Sequence, residues 1–255
     1  MTQRPYRRIE SEQNAVYKAL KGALSAREMR RSGSALVSGP KVIRDALRMF
    51  PERCEAWVSA AGQPEPPLAL PEGAAWYQLS ARLFSSLDVF GTGQPLLLVR
   101  TPTIAAWNPA TGLAPGCTLL VPFQDPENVG AVIRSAVAFG VTDVILLAGC
   151  GHPYHPKALR ASSGASLQAT LLSGPAIDDL PDNLVVVPLS AQGVDVASFS
   201  FPERFALLPG VEGPGLPNRF RNRAVSITID DRVESLNAAT AAAIVLYLFR
   251  CARPQ

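Results

Sequence analysis

Between Asn128 and Val141 the only charged side chain is Arg134, set among valine, isoleucine and alanine. A guanidinium in such company costs desolvation energy unless it meets an anion or faces a wet cleft. Arg134 is therefore a candidate for meeting an anion. Pro126 and Asn128 suit a helix start, and Gly130 lets a ligand approach the first turn. The same spacing also suits a plain solvent face of Ala131, Arg134, Ser135 and Ala138. A second stretch, Leu207 to Pro217, holds Gly210, Gly213 and Gly215 around Glu212. Glycines there let backbone press against a flat ligand while Glu212 accepts hydrogen bonds, although a structural turn has the same composition. The third stretch runs from Ile227 to Asn237 and leads into Ala238 to Phe249, where Ser235 or Asn237 is a ready helix N-cap.

These stretches need a scaffold, and the pattern of the chain supplies one. From Ser34 short apolar runs alternate with amphipathic segments. Strands are expected at 34–38, 54–60, 76–79 and 96–100, with helices at 40–50 and 80–89. A second series of strands is expected near 118–122, 143–148, 184–189, 205–208 and 224–229. Runs such as VILLA and LVVVPL are apolar on both faces, as in a parallel sheet covered by helices. The fold class is α/β, and in such sheets ligands bind beyond the carboxyl ends of the strands. The expected division is a basic N-terminal arm or helix over 1–33, a small α/β domain over 34–100, a proline-rich linker over 101–116 and a second α/β domain over 117–255. The helix after Asn237 is small at its start and apolar all round afterwards, which suits a buried core or a subunit interface.

Composition narrows the partners. The four cysteines, Cys54, Cys117, Cys150 and Cys251, form no CxxC pair, so neither a disulfide framework nor a zinc knuckle is expected. Cys150, His152 and His155 are close in sequence, but three ligands on one loop need a fourth from elsewhere, and no metal is expected. The longest apolar run, 238–249, is too short to span a bilayer, so a cytoplasmic protein without a membrane partner is expected. Residues 1–31 carry eight Lys/Arg against three acids, a net +5, which leaves −2 for the rest of a chain whose total is +3. Such an imbalance suits phosphate-backbone attraction, and Arg219, Arg221 and Arg223 beyond the glycine-rich stretch are expected to add to it. A plain solvated basic helix has the same charge.

Taken in order, the three stretches resemble the signature motifs of the SpoU (TrmH-like) RNA ribose 2'-O-methyltransferases of the SPOUT class. Those patterns run roughly N-x-G-x-x-x-R, G-x-E-G-x-G-L and I-P-M…S-L-N before a small-residue helix. His155 to Ala165 is similar to the family's segment between the first two motifs, and Ala35 to Leu47 more loosely resembles the opening of its substrate-binding domain.

The resemblance implies a C-terminal SPOUT domain with a deep trefoil knot, preceded by a small α/β substrate-binding domain similar to ribosomal RNA-binding proteins. It implies S-adenosyl-L-methionine held by Leu189, Gly210, Ile227 and Leu236, and a ribosomal or transfer RNA substrate. It also implies a homodimer, and catalysis by Arg134 with Asn128, Glu212, Ser235 and Asn237. Guanidinium stays protonated in nearly every setting, so Arg134 is expected to orient a phosphate and stabilise alkoxide charge. Two departures fall in the cofactor loops: Val211 where a small polar group is usual, and Thr228-Ile229 for the family's Pro-Met. They keep open an RNA-binding module without transfer activity. A nucleotide-dependent oxidoreductase is disfavoured, because G-x-x-G-x-G reverses the dinucleotide pattern.

Overall fold

Residues 4–211 and 215–253 are described by a computed structural model. Two units, described separately, divide the chain: residues up to 103 with 152–167, and 104–151 with the remainder from 168.

The first unit opens with β1 (Arg7–Ile9), α1 (Ala15–Gly22) and α2 (Ala26–Ser32), then β2 (Ser34–Val37) and α3 (Pro40–Met49). It continues through β3 (Cys54–Ala60), β4 (Ala75–Leu79), α4 (Ala81–Ser85) and β5 (Leu96–Arg100). The five strands form a mixed sheet in the order β1-β4-β3-β5-β2. The segment 7–23 contributes a strand and part of the core to this unit. Ile9, Tyr17, Leu20 and Ala23 are buried with Leu36, Val58 and Leu79, and the Tyr17 hydroxyl meets Ser86 Oγ at 2.6 Å. Helical spacing separates the two roles, since Lys18, Lys21, Arg27, Arg30 and Arg31 are all exposed.

The second unit begins inside the expected linker with β6 (Ala105–Ala106), then β7 (Gly116–Val121), α5 (Pro126–Ala138) and β8 (Asp143–Leu146). After β8 the chain enters the first unit, where α6 (Pro156–Ala161) buries Pro156, Ala158 and Leu159. Residues 152–167 thus group with the first unit, inside the span 117–255 expected as the second domain. Within the first unit Lys41 Nζ donates to Ser163 Oγ at 3.1 Å, and the Arg160 guanidinium lies 4.2 Å from the centre of the Phe90 ring. The apolar side of α6 and these polar ties have their partners on that unit, which local periodicity cannot reveal.

His152 in this segment is 7% exposed, and its Nδ1 accepts from Tyr154 N at 3.3 Å. Burial, with the Arg30 and His155 charges adding to it, lowers the imidazole to about 4 from an ordinary 6.5. Between about pH 4 and 6.5 the unfolded chain therefore binds a proton that the folded chain refuses. Stability should rise with pH across this window and be lost as pH falls through it. A shift of this size corresponds to roughly 3 kcal/mol. Thermal melts should show a steep pH dependence there that His152→Asn flattens; equal slopes in the two proteins would contradict the assignment.

The second unit resumes with β9 (Thr170–Ser173), a strand the sequence reading left out, then β10 (Val186–Asp195) and β11 (Arg204–Leu208). It ends with α7 (Asn218–Arg221), β12 (Val225–Ser226) and α8 (Ala238–Cys251). Seven parallel strands run in the order β12-β10-β11-β7-β8-β9-β6. Every residue of β7 is buried, as expected at the centre of a sheet covered on both faces. From β7 the chain builds outward through β8 and β9, then crosses to the other side for β10 and β11. That reversal of strand order is where an α/β sheet opens a crevice at its carboxyl edge.

Candidate active site

Residues 189–191 of β10 and the segments after β11 and β12 meet at a cleft of about 720 Å³, a size suited to small-molecule ligands. Leu189, Gly210, Ile227 and Leu236 all line it, and so do Ser235 and Asn237. Side chains are kept small where backbones crowd. A Cβ on Gly210 would lie 3.3 Å from the Leu189 carbonyl oxygen, and one on Gly193 only 2.4 Å from the Ala224 carbonyl oxygen.

Asn237 organises one rim. Its Oδ1 caps α8 by accepting from Ala239 N at 3.0 Å and Thr240 N at 3.1 Å, while Nδ2 donates to Asn128 Oδ1 at 3.0 Å. A single amide thus satisfies two of the donors a helix start leaves unpaired, and ties α8 to the first turn of α5. The start of α5 is set in turn by Asp125, whose side chain accepts from Glu127 N at 3.0 Å, and by Pro126 in the first turn.

Arg134 is not among the residues lining the cleft; it is exposed on α5. Asn128 does not line the cleft either and is tied to it through Asn237. Glu212 lies outside the described residues. Both departures from the family pattern have uses for their side chains. Val211 packs against the core that contains Leu208, Leu216 and Ala224 while lining the cleft. The Thr228 hydroxyl donates to Asp195.

Three carboxylates on the loop before α8, those of Asp230, Asp231 and Glu234, also line the cleft and were not singled out from sequence. Asp230 is held below the usual carboxylate range by the Arg232 side chain, with Nε at 2.7 Å, and secondarily by the Arg232 backbone N–H. Ser190 and Ala191 were missed as well. A glycine within an apolar strand run, Gly193, was the available signal for an irregularity there.

Arg219 and Arg221, both expected to meet phosphate, also bond within the chain. Arg219 donates to the carbonyls of Ile177 at 2.7 Å and Leu180 at 3.0 Å and to Asp182 at 3.2 Å. Arg221 Nε is spent on the Leu216 carbonyl at 2.9 Å. The carbonyls of a tight turn and of the loop before α7 need donors, and these guanidiniums supply them. Arg223 remains exposed. The Nδ1 atoms of His152 and His155 accept from Tyr154 N and Lys157 N, and among the described residues no group of three His, Cys, Asp or Glu is arranged to hold a metal ion. No helix among the described residues is long and apolar enough to cross a membrane.

Comparison with known proteins bears on this geometry. Residues 117–247 match the SpoU rRNA Methylase family. The chain is 52% identical over 247 residues to a protein of Syntrophobacter fumaroxidans named Ribosomal RNA small subunit methyltransferase G 2, covering 97% of this chain and 50% of that one. It thus spans about half the length of that relative. It is 28% identical to the 23S rRNA (guanosine(2553)-2'-O)-methyltransferase RlmP of Bacillus subtilis, covering 96% of this chain and 99% of the relative. Among solved structures, the SpoU methyltransferase AviRb of Streptomyces viridochromogenes, in complex with AdoMet, superposes with a TM-score of 0.74 at 25% identity, covering 94% of this chain and 98% of that one. With residues 117–247 matching, more than half of its length, this chain belongs to the SpoU rRNA methylase family.

Proposed function

We propose that this chain transfers a methyl group from S-adenosyl-L-methionine to a ribose 2'-hydroxyl of ribosomal or transfer RNA. The observation that carries this reading is the cleft, which gathers Leu189, Gly210, Ile227 and Leu236 from three separate stretches of sequence. The cofactor suits the residues present. Close-packed backbone at Gly210 suits a flat adenine, and the carboxylates of Asp230, Asp231 and Glu234 suit a ligand carrying sulfonium and ammonium charges.

Bound there, S-adenosyl-L-methionine supplies a methyl group already activated by its positive sulfur. What remains for the protein is to hold the 2'-hydroxyl in line and to stabilise the charge left as its proton departs. Ser235 and Asn237 stand at the rim where that hydroxyl would enter, and Asn237 fixes Asn128 beside them. Arg134, exposed on α5, is suited to meet the adjacent phosphate from solvent and to stabilise the alkoxide without acting as a base. Transfer of tritiated methyl to RNA from cells lacking the protein tests the reading. Labelling of a ribose 2'-oxygen is the expected result, and RNA binding without label would leave a non-catalytic module.

The reading extends to the trefoil knot that the family resemblance implies. It makes the first unit the RNA-binding domain, supported by the exposed Lys18, Lys21, Arg27, Arg30 and Arg31. Neutralising these together, and not deleting a segment that contributes to the core, is the appropriate test. It also sets the enzyme in the cytoplasm, in keeping with free thiols at all four cysteines.

Dimerisation belongs to the same reading. On α8 Tyr247 is 54% exposed, and Ile244 and Leu248 are only half-buried, an apolar face beside the one packed on α5. Light scattering at micromolar concentration should give twice the 27.1 kDa chain mass, and Ile244→Asp should halve it. A monomeric mass in the unaltered protein would count against the interface.

A further inference from the structure

Strand β10 meets β12 twice around one residue: Val225 stands opposite both Leu189 and Val194, and the ladder shifts register between them. Residues 190–193 therefore form an irregularity within β10, with Ser190 and Ala191 on the cleft wall. Three contacts secure it. Val194 N donates to the Ala224 carbonyl at 3.1 Å, Ser226 Oγ donates to the Gly193 carbonyl at 3.1 Å, and Thr228 Oγ1 donates to Asp195 Oδ2. The other oxygen of Asp195 accepts from Ala197 N at 2.8 Å, capping the turn Val196–Ser198. Both oxygens are in use, and the carboxyl is held below its ordinary range by the Thr228 hydroxyl first and the Ala197 N–H second.

Thr228 lines the cleft and Asp195 does not. The segment from Ile227 to Asn237 supplies much of the cleft wall, yet β12, the element before it, is only Val225 and Ser226. After those two residues the Asp195–Thr228 bond is the next tie back to β10.

We propose that Asp195 and Thr228 form a clasp that holds the two walls of the S-adenosyl-L-methionine cleft at a fixed separation, with Asp195 a positioning residue that acts through Thr228. This rests on the cofactor reading above. A wall ordered before the ligand arrives spares the complex the cost of ordering it, so the clasp acts on cofactor affinity. Once the cofactor is bound, its own contacts hold the walls, and turnover at saturation is unaffected.

Calorimetric titration of the full chain with S-adenosyl-L-methionine tests this in the unaltered protein, Thr228→Val, Asp195→Ser, the double variant and Thr228→Ser. Serine at 195 keeps a cap for the turn but is too short to reach Thr228. Each of the first two variants should weaken binding roughly three- to tenfold, the worth of one net hydrogen bond. The double variant should lose no more than either alone, because the two groups share one interaction. Thr228→Ser should bind as the unaltered chain does. The melting temperature of the cofactor-free protein should not move, since the pair is solvent-exposed. In transfer assays the loss should fall on KM for the cofactor with kcat kept. Full affinity in Thr228→Val, or additive losses in the double variant, would overturn the clasp alone. An unaltered chain that takes up no S-adenosyl-L-methionine would overturn the cofactor reading and the clasp with it.

Discussion

Replacing Arg134 by alanine is expected to lower methyl transfer about a hundredfold to a thousandfold while S-adenosyl-L-methionine binding survives. The separation of the two effects follows from position. Arg134 is exposed on α5 and absent from the cleft lining, so its loss removes no wall of the cofactor site. If it acts on the phosphate and the alkoxide as charge develops, the deficit appears in turnover. Arg134→Lys should rescue poorly, because a point-charge ammonium cannot reproduce a planar two-pronged contact with phosphate. Tritiated methyl transfer to RNA, run beside calorimetric cofactor titration, measures both quantities. Near-normal turnover in the alanine variant would remove Arg134 from the chemistry, and lost cofactor affinity would assign it to the pocket.

The second large effect is expected from Gly193→Ala. A single added methyl would lie 2.4 Å from the Ala224 carbonyl oxygen, 2.7 Å from its carbon and 3.0 Å from the Val225 carbonyl carbon. All three atoms are backbone, so the clash cannot be relieved by turning a side chain. β12 must move away from β10, and Ile227 and its neighbours move with it. Overpacking of this kind costs about 1–3 kcal/mol even where side chains can yield. Cofactor affinity should fall at least about tenfold, since the wall carrying Ile227 loses its register. Melting temperature and cofactor titration of the alanine variant are the measurements. A protein with unchanged values in both would mean that β12 tolerates the displacement and that its pairing does not set the cleft.

The α/β fold class and the loops that line the cleft were legible in the sequence because they depend on short-range features. Doubly apolar runs mark the strands of the parallel sheet, glycine and proline clusters mark the loops, and Asn237 before a small-residue helix marks the start of α8. Even here boundaries moved. β10 continues to Asp195 where a strand ending at 189 was expected, β12 holds only two residues, and β9, with two leucines between Thr170 and Ser173, did not stand out.

What only the tertiary structure decided is which side chains are spent on which partners. The basic charge of residues 1–31 is visible in the composition, but Tyr17 and Leu20 bury one face of the same segment in a core whose other members lie tens of residues away. Arg219 is indistinguishable from Arg223 as a local charge, yet one is consumed by the carbonyls of Ile177 and Leu180 and the other is exposed. Thr228, in sequence a departure from a family pattern, acquires a use only when the register of β10 against β12 brings Asp195 to it, 33 residues away. Propensity, capping and periodicity act over a turn or two of chain. Register, burial and hydrogen-bond partnership are properties of segments that meet only on folding.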